Sequence, residues 1–183
     1  MITHKSHQRA NLIHWCFTSK DCSLLVKAFI RYVRLIVEYN SPVWSLNALN
    51  DINRIEAAQR RFTKRIPGMS GRSYHSRLKM LNLDSLELRR LRSDLLLVYK
   101  ILFGLLQTNT EALFTLRAHA LLRGHQYMLE KQRYQLHQTR VFCNPVVNIW
   151  NSLPSDTTDF SSFLKFRRSV SDEYLARHCK LLF

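Results

Sequence analysis

The sequence predicts a mainly α-helical protein built in two parts that divide near residue 110. Three observations carry this. Apolar residues recur at three- and four-residue spacing over long stretches, and side chains so spaced share one face of a helix. The chain has only 4 Gly and 4 Pro in 183 residues, and Pro42, Pro67-Gly68 and Pro154 stand where an apolar pattern stops. A hydrophobic fraction of 46% suffices for one ordinary core or two small ones, which excludes a disordered chain.

The first helix is predicted over about Asp21 to Glu38. Asp21 is its N-cap, and Leu25, Phe29, Tyr32 or Val33, and Ile36 form an apolar face, with Lys27, Arg31, Arg34 and Glu38 opposite. A second starts after Asn50 as N-cap and ends at Pro67-Gly68. A short helix, Tyr74 to Leu81, follows Ser73. The longest runs from about Ser85 to Leu106, where Asp84 and Glu87 have capping-box spacing and Leu88, Leu91, Leu95, Val98, Leu102 and Leu105 form the stripe. From Leu95 onward nearly every position is apolar, as in a buried helix.

Beyond Thr110 the segments shorten. Tyr127 to Glu130 and Tyr134 to His137 have the texture of a β-hairpin around Lys131 to Arg133. Asn144-Pro145 reads as an N-cap with proline at the first helical position, opening a short helix over Val146 to Leu153. A last helix is expected over about Ser161 to Arg177, with Phe163, Phe166, Val170 and Tyr174 inward and Arg167 and Arg168 outward.

With 28 Lys plus Arg against 13 Asp plus Glu, the formal charge is +15, a field that seeks a polyanion. The longest apolar stretch, Leu95 to Leu106, is too short to span a bilayer and carries Lys100, and no apolar leader opens the sequence, so an intracellular protein, nuclear or cytoplasmic, is expected. Cys16, Cys22, Cys143 and Cys179 form no CxxC pair. His4, His7 and His14 near Cys16 and Cys22 are metal-binding types without a ligand spacing, and His178-Cys179 lacks the setting of a catalytic thiol; no metal and no cofactor is expected. Phosphate-loop, nucleophile-elbow and HExxH signatures are absent. Asp156 with Asp159, and Asp172 with Glu173, are the close acidic pairs, and both read as capping or surface residues rather than ligands for two-metal phosphoryl transfer.

The charge concentrates between Arg54 and Arg92, where eleven Lys or Arg face three acids. On the helix after Asn50, Ile52, Ile55, Phe62 and Ile66 fall on one arc, and Arg54, Arg60, Arg61, Lys64 and Arg65 on the opposite one. Guanidinium groups on a rigid helix suit phosphate tracking, so these five are the leading backbone contacts, with Arg89, Arg90 and Arg92 next. The bland alternative is a solvated helix face. Membrane binding would require the apolar arc to be exposed, whereas the core needs it. Phe29, Phe62, Phe163 and Trp150 lie on apolar stripes and read as core; Trp44, Tyr74 and Tyr127, near helix ends or turns, are the candidates for stacking on a base.

Several segments, taken in order, resemble the post-palm region of reverse transcriptases of non-LTR (LINE-type, jockey-like) retrotransposons. They are His7-Gln-Arg-Ala-Asn-Leu-Ile, Glu38-Tyr-Asn-Ser-Pro-Val-Trp44, Gln59-Arg-Arg-Phe-Thr-Lys-Arg-Ile-Pro-Gly68, Ser73-Tyr, Arg77-Leu, the run from Leu83 to Arg92, Arg123-Gly-His125 and Val146-Val-Asn-Ile-Trp-Asn-Ser-Leu-Pro154. The resemblance implies a helical thumb-like module over 1–110 and a small C-terminal module over 111–183. Together they would grip template RNA or an RNA/DNA duplex beside an upstream polymerase palm. The paired catalytic aspartates of that family's RNA-directed DNA polymerase have no counterpart here, which implies a truncated, non-catalytic fragment. An inert relic and a helical protein-interaction module with an acidic partner are the alternatives.

Overall fold

A computed structural model of the chain describes residues 2–39, 49–109, 113–117, 124–131 and 146–181. They are mainly helical, and none of their helices is long and apolar enough to cross a membrane. They fall into two units. The first takes 2–39, 49–89 and 180–181 and the second the described residues of 90–179, so the division between the units lies inside a helix, at Arg89/Arg90.

In the first unit, α1 spans Ile2–Cys16, a helix the sequence pattern does not announce because, over residues 3–16, Ala10 and Ile13 are the apolar residues it buries. Asp21 caps α2 (Cys22–Phe29), its two carboxylate oxygens accepting from the amides of Ser23 and Leu24. The helix continues through a π segment (Ile30–Arg34) into α3 (Leu35–Glu38). The wide turn has a cause in the sequence. Leu25, Phe29, Val33 and Val37 are buried at a strict four-residue spacing, which drifts around an α-helix but is held on one face by one π turn. The same expansion turns Arg34 inward and leaves Tyr32 and Leu35 exposed, where regular spacing puts Arg34 outside.

α4 (Leu49–Lys64) begins before Asn50, which is a helical residue and not the N-cap. Phe62 and Ile66 join Ala10, Ile13, Leu25, Ala28, Phe29 and Val33 in the core, with the Phe29 and Phe62 rings stacked at 4.5 Å. α5 (Tyr74–Met80) is capped by Ser73, whose hydroxyl accepts from the Ser76 amide. Asn82, at φ 51, ends it with a bond from the Leu83 amide back to the Leu78 carbonyl, the wrapped ending that asparagine tolerates better than most residues.

α6 spans Leu86–Leu102. Its start is not the expected Asp84–Glu87 box. Ser85 accepts from the Leu88 amide, and Glu56 of α4 supplies both carboxylate oxygens to the amides of Leu86 and Glu87. Glu87 instead accepts from the amides of Lys180 and Leu181. Its end is also earlier than expected. Gly104, at φ 68, lets the Leu105 amide reach the Lys100 carbonyl, which closes the helix and leaves Leu105 55% exposed, off the buried stripe.

In the second unit the apolar half of α6 gives Leu95, Val98, Tyr99 and Ile101 to a core with Phe114, Leu129, Trp150, Phe166 and Leu175. Trp150, fully buried, lies on a helix described over 146–151 (α7), its indole N–H donating to the Tyr127 carbonyl at 2.7 Å. The N-cap assigned to Asn144-Pro145 lies outside the described residues. So does Tyr134 to His137, the second half of the expected hairpin. The first half leaves a turn at Tyr127 and, among the described residues, pairs upstream through one antiparallel bridge, Leu116 with Leu129. On its other edge the Asn151 amide both accepts from and donates to the Leu129 backbone, each bond 2.8 Å, in place of a neighbouring strand. The expected last helix is two: α8 (Phe163–Ser169) and α9 (Asp172–Ala176). Ser171 breaks the run because its hydroxyl caps a new helix at the Tyr174 amide, with Asp172 and Glu173 in the favourable first turn.

Candidate nucleic-acid interface

α4 positions the candidate site. Phe62 and Ile66 fix one side of it in the core, and a second buried row, Glu56, Gln59 and Thr63, locks it to α5. The Gln59 amide donates to the Tyr74 hydroxyl at 3.1 Å and to the Asp84 carbonyl at 2.9 Å. Tyr74 donates to Glu56 in a short hydrogen bond. The buried Arg77 donates to the Thr63 hydroxyl and to the carbonyls of Arg60 and Arg72. Burial raises the Glu56 carboxyl above its usual range despite the bonds it accepts, and raises the Tyr74 phenol, with Glu56 adding to the effect. The helix is thus held on two sides. Its remaining side carries the charge.

On that side Arg54, Arg61, Lys64 and Arg65 are exposed. Arg54 stands 3.6 Å from Asp51 in a largely solvated pair worth little. Arg65 donates through Nη1 to the Asn11 side chain of α1 at 2.6 Å. Among the described residues, Arg61 and Lys64 meet no carboxylate within ion-pair distance. α1, which packs along α4, contains no Asp or Glu at all.

The other expected contacts are placed differently. Arg60 is half-buried, with its guanidinium 5.2 Å from the centre of the Tyr74 ring. Arg89 holds Glu38 with two hydrogen bonds, which raises its affinity for its proton and neutralises its charge locally. Arg90 and Arg92 belong to the second unit. Arg90 is 4.0 Å from the buried Asp94, and Arg92 is ion-paired with Asp172. Hence the exposed cations Arg54, Arg61 and Lys64 of α4 and Arg65 of the turn after it are brought together on one side, while Arg89, Arg90 and Arg92 each face a carboxylate.

Of the stacking candidates, Trp44 lies outside the described residues. The Tyr74 ring is flanked by Arg60 and by Arg77 at 5.5 Å. Tyr127 packs edge-on to Phe103 at 4.9 Å and against Phe160 at 5.1 Å. Both rings are engaged within the protein.

Sequence reasoning passed over the buried polar row of α4 and the α1 side of the site. The first had a visible signal: Glu56, Gln59 and Thr63 recur at i, i+3 and i+7 beside the apolar arc, so polar partners had to meet them. Asp94 was also missed; its charge is obscured by the leucines around it. No protein-family model, curated protein or solved structure matches this chain.

Proposed function

We propose that the chain grips the backbone of RNA or an RNA/DNA duplex without catalysing its synthesis, in the manner of the thumb-like, post-palm part of a LINE-type retrotransposon polymerase. One observation carries this reading. Arg54, Arg61 and Lys64 project from α4, whose other sides are fixed, and Arg65 from the turn just past its end; apart from the largely solvated Arg54–Asp51 pair these charges meet no carboxylate among the described residues and are presented to a ligand. Phosphate contacts from a rigid helix neutralise charge and release counterions without reading bases. The ordered segments quoted above give the family side of the proposal.

If Arg54 and Lys64 each neutralise one phosphate and Arg61 and Arg65 one between them, log affinity falls against log salt with a slope of about −2.7 on duplex and about −2.1 on single strands. Fluorescence anisotropy with a labelled RNA/DNA duplex measures it. The double variant Arg61→Glu, Arg65→Glu, shown by circular dichroism to be folded, should bind every sequence more weakly, with a slope of about −1.8 or shallower. Wild-type affinity in the folded variant refutes the site.

A second reading, a helical protein-interaction module, draws on exposed apolar side chains of the first unit: Trp15 at 84%, Leu35 at 64% and Tyr39 at 75%. Its partner would be a protein such as the polymerase palm, and the duplex would then be poorly retained at low salt.

A further inference from the structure

Between α1 and α4 lies a cleft of about 70 Å³, walled by His7, Asn11 and His14 of α1, by Arg61 and Phe62 of α4 and by Arg65 in the turn after it. The three α1 residues stand at i, i+4 and i+7 and so share the face toward α4. No carboxylate lines the cleft. A cleft of that size holds a few waters, the scale of a phosphoryl group and not of a nucleobase. The bond from Arg65 to Asn11 pins the guanidinium at the cleft with further N–H donors left over. His14 lies against Phe62, ring centres 4.6 Å apart, with Nε2 at 3.4 Å from the Phe62 carbonyl. That carbonyl can only accept, so Nε2 carries the proton of the neutral ring and Nδ1 is the nitrogen that gains one on acidification.

We propose that this cleft seats one backbone phosphate of the bound nucleic acid, with Arg61 and Arg65 as permanent charges and His7 and His14 as charges recruited when it fills. The inference rests on the backbone-gripping reading and adds to it a regulation, a grip that tightens on acidification. Both imidazoles are held below the usual histidine range. For His7 the causes are desolvation, then Arg61 and His4; for His14 they are desolvation, then Arg65, partly offset by the bond to the Phe62 carbonyl. The charged groups acting on the pair from α1, α4 and the turn after it are therefore all basic. A phosphate reverses the sign of that field, so phosphate binding and proton uptake favour each other, each by the same factor.

The test uses the full chain in a non-phosphate buffer at fixed ionic strength. Anisotropy of a labelled RNA/DNA duplex should show about tenfold tighter binding at pH 5.5 than at pH 8, shrinking to within about twofold in His7→Gln, His14→Gln. In parallel, inorganic phosphate added at pH 6 should move the imidazole resonances of His7 and His14 and leave those of His75 and His178 in place. Equal pH ratios in wild type and variant overturn this inference and leave the backbone reading standing. Absence of duplex binding at both pH values overturns the backbone reading, and the phosphate titration then decides the cleft: movement of the two resonances upholds an anion site, none removes it. Because His14 packs on Phe62, His7→Gln alone serves if the double variant unfolds, with an expected ratio of about threefold.

Discussion

Asp94 lies on α6 with only 6% of its surface exposed; one carboxylate oxygen has no hydrogen-bond partner, and its ion-pair partner, Arg90, is 4.0 Å away. Burial, only partly offset by Arg90, raises its pKa from 3.8 to about 7. The sign follows from linkage. A carboxyl whose folded pKa lies above its unfolded value stabilises fully below about pH 4, and that stability is lost as pH rises through about 7. The full interval corresponds to about 4 kcal/mol at 1.36 kcal/mol per unit, an upper bound. Replacing the carboxylate by a neutral amide of the same shape, Asp94→Asn, should therefore stabilise the protein at pH 8 by about 1–3 kcal/mol, after the lost attraction to Arg90 is deducted. At pH 5, about 1.2 units above 3.8, the unfolded carboxyl is already ionised and about 1.6 kcal/mol of that bound is lost, so the variant's advantage should be smaller at pH 5 than at pH 8 by up to about 2.7 kcal/mol. Urea unfolding of both proteins at pH 5, 6, 7 and 8 makes the measurement. The difference between the two proteins isolates Asp94, because the lowered pKa values of His7, His14 and His125 act in the opposite direction in both, destabilising as pH falls below the usual histidine range. A variant less stable than wild type by the same amount at pH 5 and pH 8 would refute the reasoning and make Asp94 an ordinary hydrogen-bonding residue.

Two further substitutions test the packing. Leu95→Ala should cost about 2–5 kcal/mol, since Leu95 is 1% exposed, whereas Leu105→Ala should cost less than about 0.5 kcal/mol; equal thermal shifts would return Leu105 to the buried stripe. Glu56→Ala removes the acceptor for the Leu86 and Glu87 amides and for the Tyr74 hydroxyl, and should cost about 2–4 kcal/mol against about 1 kcal/mol for Tyr74→Phe. Chemical unfolding that ranks these two in the reverse order would place the α4–α6 anchor elsewhere.

The helices were legible wherever burial followed a simple period. α4 and the apolar half of α6 have it, and Asp21 and Ser73 cap their helices as side chains of their type do. What failed was long-range. That Glu56 caps α6 depends on a fold bringing together residues 30 apart in sequence, and no local spacing encodes it. The early end of α6 reflects one glycine outweighing the leucines that follow, and the split of the last helix one serine outweighing an amphipathic run. The charged arc of the site could be read as an arc, but not which of its arginines would find carboxylates. Arg89 meets Glu38 from 51 positions away, and only the fold reveals that pairing. α1 escaped notice because its inward face is lined by histidine, asparagine and alanine as much as by large apolar residues.

The grasp of Glu87 on the amides of Lys180 and Leu181 bears on the order of events during synthesis. The two partners are 93 and 94 positions apart, and the sequence of the second unit runs between them. A ribosome delivers the amides long after α1 to α5 have emerged, so Glu87, 8% exposed in the finished structure, must wait in water or against substitute donors until they arrive. The Glu87 carboxylate thus gains its partners only after the intervening unit has been made. An interruption of translation inside that unit would release a first unit whose α6 amides are still held by Glu56 and Ser85 but whose Glu87 carboxylate is left in water, a mark that distinguishes it from the longer product.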